Sequence, residues 1–333
     1  MIEFRKSPLR AAIAGLGWSV GSRVLTNADL EKMVDTSDQW ITERTGIKER
    51  RLVRDDEATS DLATEAALKA LEDAGLQGRD VDVIVVATVT PDMLFPCTAN
   101  IVQKNIGAKK AAAFDVLAGC SGFIYALDIG SRFLTSGSSE VVLVIGADTL
   151  SKITNYKDRS TCILFGDGAG SCVLVPSSDG RGVLATVLGS DGSGADYLKL
   201  PAGGSRLPAT EYTVHNDLHY IQMDGQKVFE FAVKILVDAS ISALDACGLT
   251  ADDISMVIPH QANLRIVEAA RRRLNIPPEK VMVNLDRYGN MSSASVIVAL
   301  AEARDSGRIG PGDAVLLVAF GAGLTWASAT VRL

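Results

Sequence analysis

Ala70-Leu71-Glu72-Asp73-Ala74-Gly75-Leu76, followed by Asp80-Val81-Asp82-Val83-Ile84-Val85, has a counterpart in Ala243-Leu244-Asp245-Ala246-Cys247-Gly248-Leu249, followed by Asp253-Ile254-Ser255-Met256-Val257-Ile258. Gly75 and Gly248 are 173 residues apart, as are Asp80 and Asp253. Each copy predicts a helix with a 3.6-residue apolar period, stopped at a glycine, then a polar turn and a β-branched strand. Further out, Ser136-Gly137 before Val141–Ala147 is echoed by Ser306-Gly307 before Val315–Gly321. Between these matches, Phe114-Asp115-Val116 and a helical run to Leu134 correspond to Asn284-Leu285-Asp286 and a helical run to Arg304. Each half therefore predicts strand, helix, strand, helix, strand, with Val/Ile runs of the kind buried on both faces of a sheet. The expectation is a duplicated α/β domain in five layers, α-β-α-β-α. Its halves are expected at 1–188 and 225–333, bridged by 189–224, which is rich in Gly, Ser and Pro.

The 333 residues are 47% hydrophobic and 22% charged, which excludes a disordered tail, a fibre and a disulfide-stapled miniprotein. With 33 basic against 40 acidic residues the net charge is -7, the reverse of a nucleic-acid-binding footprint. Apolar runs such as Val83–Val86 and Val315–Phe320 fall far short of the ~20 residues that cross a bilayer. Arg5, Lys6 and Arg10 before Ala11–Trp18 resemble a signal peptide only faintly, since the stretch contains Gly15 and Gly17 and no A-x-A-like site follows. Five cysteines form no C-x-x-C pair and cannot all pair with one another, which points to a reduced, cytoplasmic setting. Cys162, Cys172 and Cys247 read as small core residues.

Cys120 is different. It follows the small-residue turn Leu117-Ala118-Gly119 and opens a helical run, where the dipole and free amides favour thiolate and lower a thiol pKa. Its own amide would lie beside the sulfur as an oxyanion donor; a buried structural cysteine is the plain alternative. His260 follows the strand Met256–Ile258 and Pro259, at a strand end of the kind where α/β sheets keep their sites, although a loop histidine would also stand there. Asn290 occupies the duplicate of the Gly119-Cys120 turn and on its own reads as a helix N-cap. Two facing halves would bring equivalent turns together, so Cys120 could meet His260 and Asn290, a nucleophile with two hydrogen-bonding partners. The glycine-rich stretches Phe165–Gly170 and Phe320–Leu324 match neither a P-loop nor a dinucleotide fingerprint and read as tight β-turns. No cluster has metal-ligand spacing.

Ala118-Gly119-Cys120-Ser121-Gly122-Phe123, Pro259-His260-Gln261-Ala262-Asn263-Leu264-Arg265 and Tyr288-Gly289-Asn290-Met291-Ser292-Ser293-Ala294-Ser295 resemble the three active-site motifs of the β-ketoacyl-[acyl-carrier-protein] synthase III family. Thr26–Leu30, Thr36–Ile41, Arg44–Ile47 and Thr325–Ser328 extend the resemblance over nearly the whole chain. It implies the thiolase fold and an acyltransferase that initiates type II fatty acid synthesis, condensing a short acyl-CoA such as acetyl-CoA with malonyl-acyl-carrier-protein. It further implies a cytoplasmic homodimer, with no membrane or nucleic-acid partner and no cofactor, acyl-CoA being a substrate.

By the same resemblance Cys120 is the acyl-accepting nucleophile, and His260 and Asn290 hydrogen-bond the malonyl thioester. The amides of Cys120 and Ala322 form the oxyanion hole. Ala322 departs from the usual three-glycine pattern, which a backbone role tolerates unless positive φ is required. Trp40 and Arg159 would sandwich the CoA adenine, with Arg44 on phosphate and Asn263 on pantetheine; core packing is the other reading of Trp40. Phe95 would cap the partner's acyl pocket across the dimer, and Phe229 would line the entrance. Arg265, Arg271, Arg272 and Arg273 would dock the acidic carrier, or else form a solvated helix face. A polyketide starter enzyme or an acyltransferase of the same fold shares the nucleophile. A cysteine hydrolase and a degenerate partner subunit fit the three polar residues less well.

Overall fold

The computed structural model describes residues 9–333, so Arg5 and Lys6 of the faint leader-like stretch lie outside the described residues. The near-continuous apolar strands form two sheets. The first runs in the order Arg10–Val20, Asp167–Ser177, Val142–Thr149, Val83–Ala87, Ala112–Val116. The second runs Met256–Pro259, Ala314–Gly321, Thr325–Arg332, Gly182–Ser190. Read from the opposite edge, the second repeats the first. Val83–Ala87 is parallel to both neighbours, Met256–Pro259 is parallel to Ala314–Gly321, and the remaining pairs are antiparallel.

Two sequence expectations shift. Asn284–Asp286 is not a strand: the fifth strand of the second half shrinks to one parallel bridge, Val257 to Val281, in the place of Ile84 to Ala113. The Gln261 side chain replaces the missing ladder, donating to Met282 O (3.0 Å) and accepting from Asn284 N (3.1 Å). The backbone is thus satisfied without a strand and enters the short helix Leu285–Tyr288. Secondly, the boundary expected at 188/189 cuts the strand Gly182–Ser190, which pairs with Thr325–Arg332 and belongs to the second sheet. The halves part in the turn between Ser177 and Gly182.

Three apolar clusters fill the spaces between layers. In the centre, Phe123, Leu127 and Leu134 of the helix Gly122–Thr135 and Ile297 and Leu300 of Ala294–Asp305 pack between Val144 and Leu174 of one sheet and Leu317 and Ala329 of the other. Every residue from Ala294 to Ala301 is buried, as a helix enclosed on all sides requires. Outside the first sheet, Leu62, Ala66 and Ala70 of Thr59–Asp73 cover Ile84, Leu143 and Ile145. Outside the second, Leu236 and Ala243 of Gly225–Cys247 and Ile266 of Leu264–Arg273 cover Leu316 and Val318. The order is α-β-α-β-α, as expected.

The glycine stretch Phe165–Gly170 is not a turn beyond Gly166, because Gly168 and Gly170 lie inside the strand Asp167–Ser177. Close helix packing explains them: a Cβ on Gly170 would stand 2.4 Å from Ile297 Cγ2. Cys162 and Cys172 are buried, and all five cysteines are free thiols. Among the described residues no helix is long and apolar enough to cross a membrane.

The layering predicts unequal costs for two leucine truncations. Leu300→Ala, in the central layer, should cost about 3 kcal/mol and lower the melting temperature by roughly 5 °C. Leu68→Ala, 48% exposed on the outer helix, should stay within about 0.5 kcal/mol. Thermal unfolding followed by circular dichroism checks both; equal shifts would contradict the layer assignment.

Candidate active site

The strand Ala112–Val116 ends in a single turn, Gly119–Ser121, which feeds the helix Gly122–Thr135 and places Cys120 at its start. Gly119 takes φ +56, and a Cβ there would stand 2.7 Å from Ala322 N. Conversely, a Cβ on Gly321 would stand 2.4 Å from Cys120 N. The two turns therefore meet backbone to backbone, and Thr325 Oγ1 locks them by donating to Ala118 O at 2.9 Å. Positive φ in the second turn falls on Gly323 and Leu324, not on Ala322, so the methyl of Ala322 is accommodated.

Position at a helix start predicts a lowered Cys120 pKa, but the surroundings act the other way. Burial pushes the thiol up to about 12, the buried Asp148 carboxylate adds to the rise, and hydrogen bonding from Ser292 and the Cys120 amide opposes it. Desolvation of a sulfur anion outweighs the helix terminus here, and the resting residue is a thiol.

His260 leaves the end of the strand Met256–Pro259, its amide donating to Val318 O at 2.8 Å. It is 1% exposed, and burial lowers the imidazole pKa to about 3, so the ring is neutral. Nδ1 lies 2.6 Å from Ser295 Oγ. Ser295 Oγ also accepts from Gln261 N (3.4 Å), and we take its own proton to be donated to Nδ1. We assign the ring proton to Nε2 on this network. The edge of the Phe320 ring arrangement, 5.4 Å between centroids at 68°, fixes the imidazole plane.

Asn290 is not an N-cap. The helix begins at Ala294 with Ser293 in the cap position, while Asn290 bridges to Phe165, donating from N to Leu164 O (2.8 Å) and accepting from Gly166 N (3.0 Å). Its Oδ1 accepts from Ser292 N at 2.8 Å, which leaves the Nδ2 amide as the donor not committed to the turn.

Cys120, His260, Asn290 and Ala322 line one cavity of about 280 Å³, together with Trp40, Arg44, Phe229, Asn263 and Arg265. Both Arg44 and Arg159 stack on Trp40, their guanidinium carbons 4.6 and 5.0 Å from the ring centroid. A flat base could enter between Trp40 and Arg159 only after that guanidinium swings away. Asn263 caps the helix Leu264–Arg273, accepting from Arg265 N (2.8 Å) and donating to Arg44 O (3.0 Å), so it ties the two walls of the entrance. Arg265 lies over Phe229 at 5.7 Å. Arg271 is committed to Glu268 (2.8 Å) and Ile276 O (2.8 Å), whereas Arg272 and Arg273 are exposed. Phe95 is 84% exposed and outside this cavity. Among the described residues no group of three or more His, Cys, Asp or Glu could hold a metal ion.

Two buried ionisable side chains escape a reading of motifs. Arg50, fully buried, donates from Nε to Ile163 O at 3.0 Å and braces the wall Ile163–Phe165. Asp148 lies behind Cys120 and Ser293. The one sequence signal for Asp148 is an acid ending the otherwise apolar run Val142–Ala147.

Comparison with known proteins identifies the family. Family models described as 3-oxoacyl-[acyl-carrier-protein (ACP)] synthase III and its C-terminal part match residues 114–192 and 244–333. The β-ketoacyl-[acyl-carrier-protein] synthase III of Caldanaerobacter subterraneus subsp. tengcongensis is 60% identical, over 97% of this chain and 98% of its own. Crystal structures of the synthases III of Thermus thermophilus (48% identity; 97% of this chain and 99% of that one) and Aquifex aeolicus (46%; 97% and 100%) superimpose with TM-scores of 0.90. The chain belongs to the β-ketoacyl-[acyl-carrier-protein] synthase III family, with its thiolase fold.

Proposed function

We propose that the chain is the initiating condensing enzyme of type II fatty acid synthesis, working through an acyl group held on Cys120. The observation that carries this reading is the shared cavity in which one thiol faces two neutral hydrogen-bond donors. In the first step the Cys120 sulfur attacks the carbonyl of a short acyl-CoA, acetyl-CoA being the simplest starter. The C–S bond to CoA breaks, and the proton lost by Cys120 ends on the released CoA thiol. The amides of Cys120 and Ala322 receive the oxyanion.

Malonyl-acyl-carrier-protein then enters the same cavity. Its carboxylate leaves as CO2, and the electron pair left behind is spread onto the thioester oxygen as an enolate. Such a step calls for donors to one oxygen, not for a strong base. Nε2–H of His260 and Nδ2–H of Asn290 are the donors proposed, strengthened by the dry surroundings. The enolate carbon attacks the acyl-Cys120 carbonyl, and the sulfur leaves to regenerate the thiol once a proton returns. These steps call on no cofactor.

Around this core, Trp40, Arg44, Arg159 and Asn263 are proposed to hold CoA, the flat cations and indole suiting a purine and its phosphates. Arg265, Arg272 and Arg273 are proposed to meet the acidic carrier, with Arg271 contributing less because Glu268 occupies it. The exposed apolar residues Leu94 (80%), Phe95 (84%) and Leu117 (77%) support a homodimer in which Phe95 reaches the partner's acyl pocket. A cytoplasmic enzyme with neither membrane nor nucleic-acid partner completes the reading.

Cys120→Ala should form no acyl-enzyme with radiolabelled acetyl-CoA. Asn290→Ala should still acylate Cys120 but lose roughly 100- to 1000-fold in condensation; label trapped on Cys120→Ala, or both steps failing together in Asn290→Ala, would overturn the assignment. A second expectation concerns pH. Because burial lowers the His260 pKa to about 3, the ring stays neutral above that value and keeps its donor through the neutral range. Malonyl decarboxylation by the acylated enzyme should therefore show no acidic fall centred near the usual histidine value of about 6.5. A fall at that point which vanishes in His260→Gln would contradict a buried neutral imidazole.

A further inference from the structure

Asp148 is the penultimate residue of the strand Val142–Thr149 in the first half, is 0% exposed, and has five polar contacts within hydrogen-bond distance. Its Oδ1 accepts from Val89 N (2.7 Å), Thr88 Oγ1 (3.1 Å) and Thr90 Oγ1 (3.2 Å), all in its own half. Its Oδ2 accepts from Ser293 N (3.0 Å) and Ser293 Oγ (2.6 Å) in the other half. The single Ser293 hydroxyl proton lies between two acceptors, Asp148 Oδ2 and Ala87 O, the latter at 2.9 Å, and a Cβ on Gly146 would stand 2.5 Å from Ser293 O. Three groups at the ends of two neighbouring strands thus grip a single residue of the opposite half.

What that residue anchors is the turn carrying Asn290. Ser292, between Asn290 and Ser293, has the left-handed φ of +47 that side chains disfavour, and its amide is bound by Asn290 Oδ1 at 2.8 Å. Its hydroxyl is buried beside both Cys120 and Asp148. A strained backbone persists only where its surroundings over-determine it. Here the restraint on its C-terminal side comes from Asp148.

We propose that Asp148 is a positioning residue for condensation, a buried carboxylate in the nucleophile's half that holds the Asn290–Ser293 turn of the other half in register with Cys120. A carboxylate suits the place because each of its oxygens meets a fixed backbone N–H, Val89 on one side and Ser293 on the other. An amide cannot replace it. Whichever way it turned, its NH2 would face an N–H that has no means of accepting.

The inference rests on the proposed roles of Cys120 and Asn290, so the test separates the two steps. Asp148→Asn and Ser293→Ala are compared with the parent chain, following acyl-Cys120 formation from acetyl-CoA by intact-protein mass spectrometry and condensation with malonyl-acyl-carrier-protein by steady-state kinetics. In Asp148→Asn, kcat for condensation should fall roughly 100-fold, as a misplacement near one ångström does. KM for acetyl-CoA and the rate of acylation should stay within about threefold. Ser293→Ala, which keeps the backbone N–H and loses only the hydroxyl, should lose roughly fivefold in the same step. If Asp148→Asn does not fold, the Ser293→Ala split alone decides. Equal losses in both steps, or condensation kept by both variants, would overturn the inference. A parent chain that forms no acyl-Cys120 would instead overturn the reading beneath it.

Discussion

The structure depends on a backbone-to-backbone approach. The turns Gly119–Cys120 and Gly321–Ala322 come so close that a Cβ at either glycine would sit 2.7 or 2.4 Å from a backbone nitrogen of the other. Each turn ends a strand of a different half, so the approach requires the two sheets to face each other with strand ends aligned. The space left between the sheets takes one pair of helices, which explains why Ala294–Ala301 is buried all round and why glycines of the strand Asp167–Ser177 yield to Ile297 and Met291. Each half supplies one of the two turns, and the seam between them supplies the site.

Chemistry at the seam is governed by desolvation more than by charge. Burial holds the His260 ring neutral and the Cys120 sulfur protonated, and it leaves the amide of Asn290 as an uncharged donor. Neutral donors in dry surroundings suit a step in which charge appears briefly on one oxygen, since no resting ion needs to be desolvated for it. Burial acts on Asp148 in the same sense, raising its pKa, while hydrogen bonds from Ser293 and Val89 oppose the rise.

Much of this was legible in sequence because duplication leaves two copies of one helix-turn-strand signal. The repeat around Gly75 and Gly248 located the paired halves, and the turns at Cys120 and Asn290 could be matched before any coordinates. What failed did so for local reasons. A glutamine side chain substituting for a strand, as Gln261 does beside Asn284, has no periodicity to betray it. The strand Gly182–Ser190 was hidden because its apolar alternation is weak and Gly189 lies over Trp326. The raised thiol pKa could not be read at all, since helix position is a property of the chain but burial is a property of the packed whole. Asp148 and Arg50 were missed for the same reason: each is an ordinary charged residue until the layers close over it.

The stacking of Arg159 and Arg44 on Trp40 has a thermodynamic side as well. The indole is already in contact with cations before any nucleotide arrives. Adenine binding at this place, under the proposed reading, is an exchange reaction in which one stacking partner displaces another. The affinity then measures the difference between two favourable contacts, and part of the purine's intrinsic attraction is spent in freeing the ring. Such an exchange favours release of CoA after acyl transfer as much as it moderates its capture, because Arg159 is at hand to take the place of the departing base.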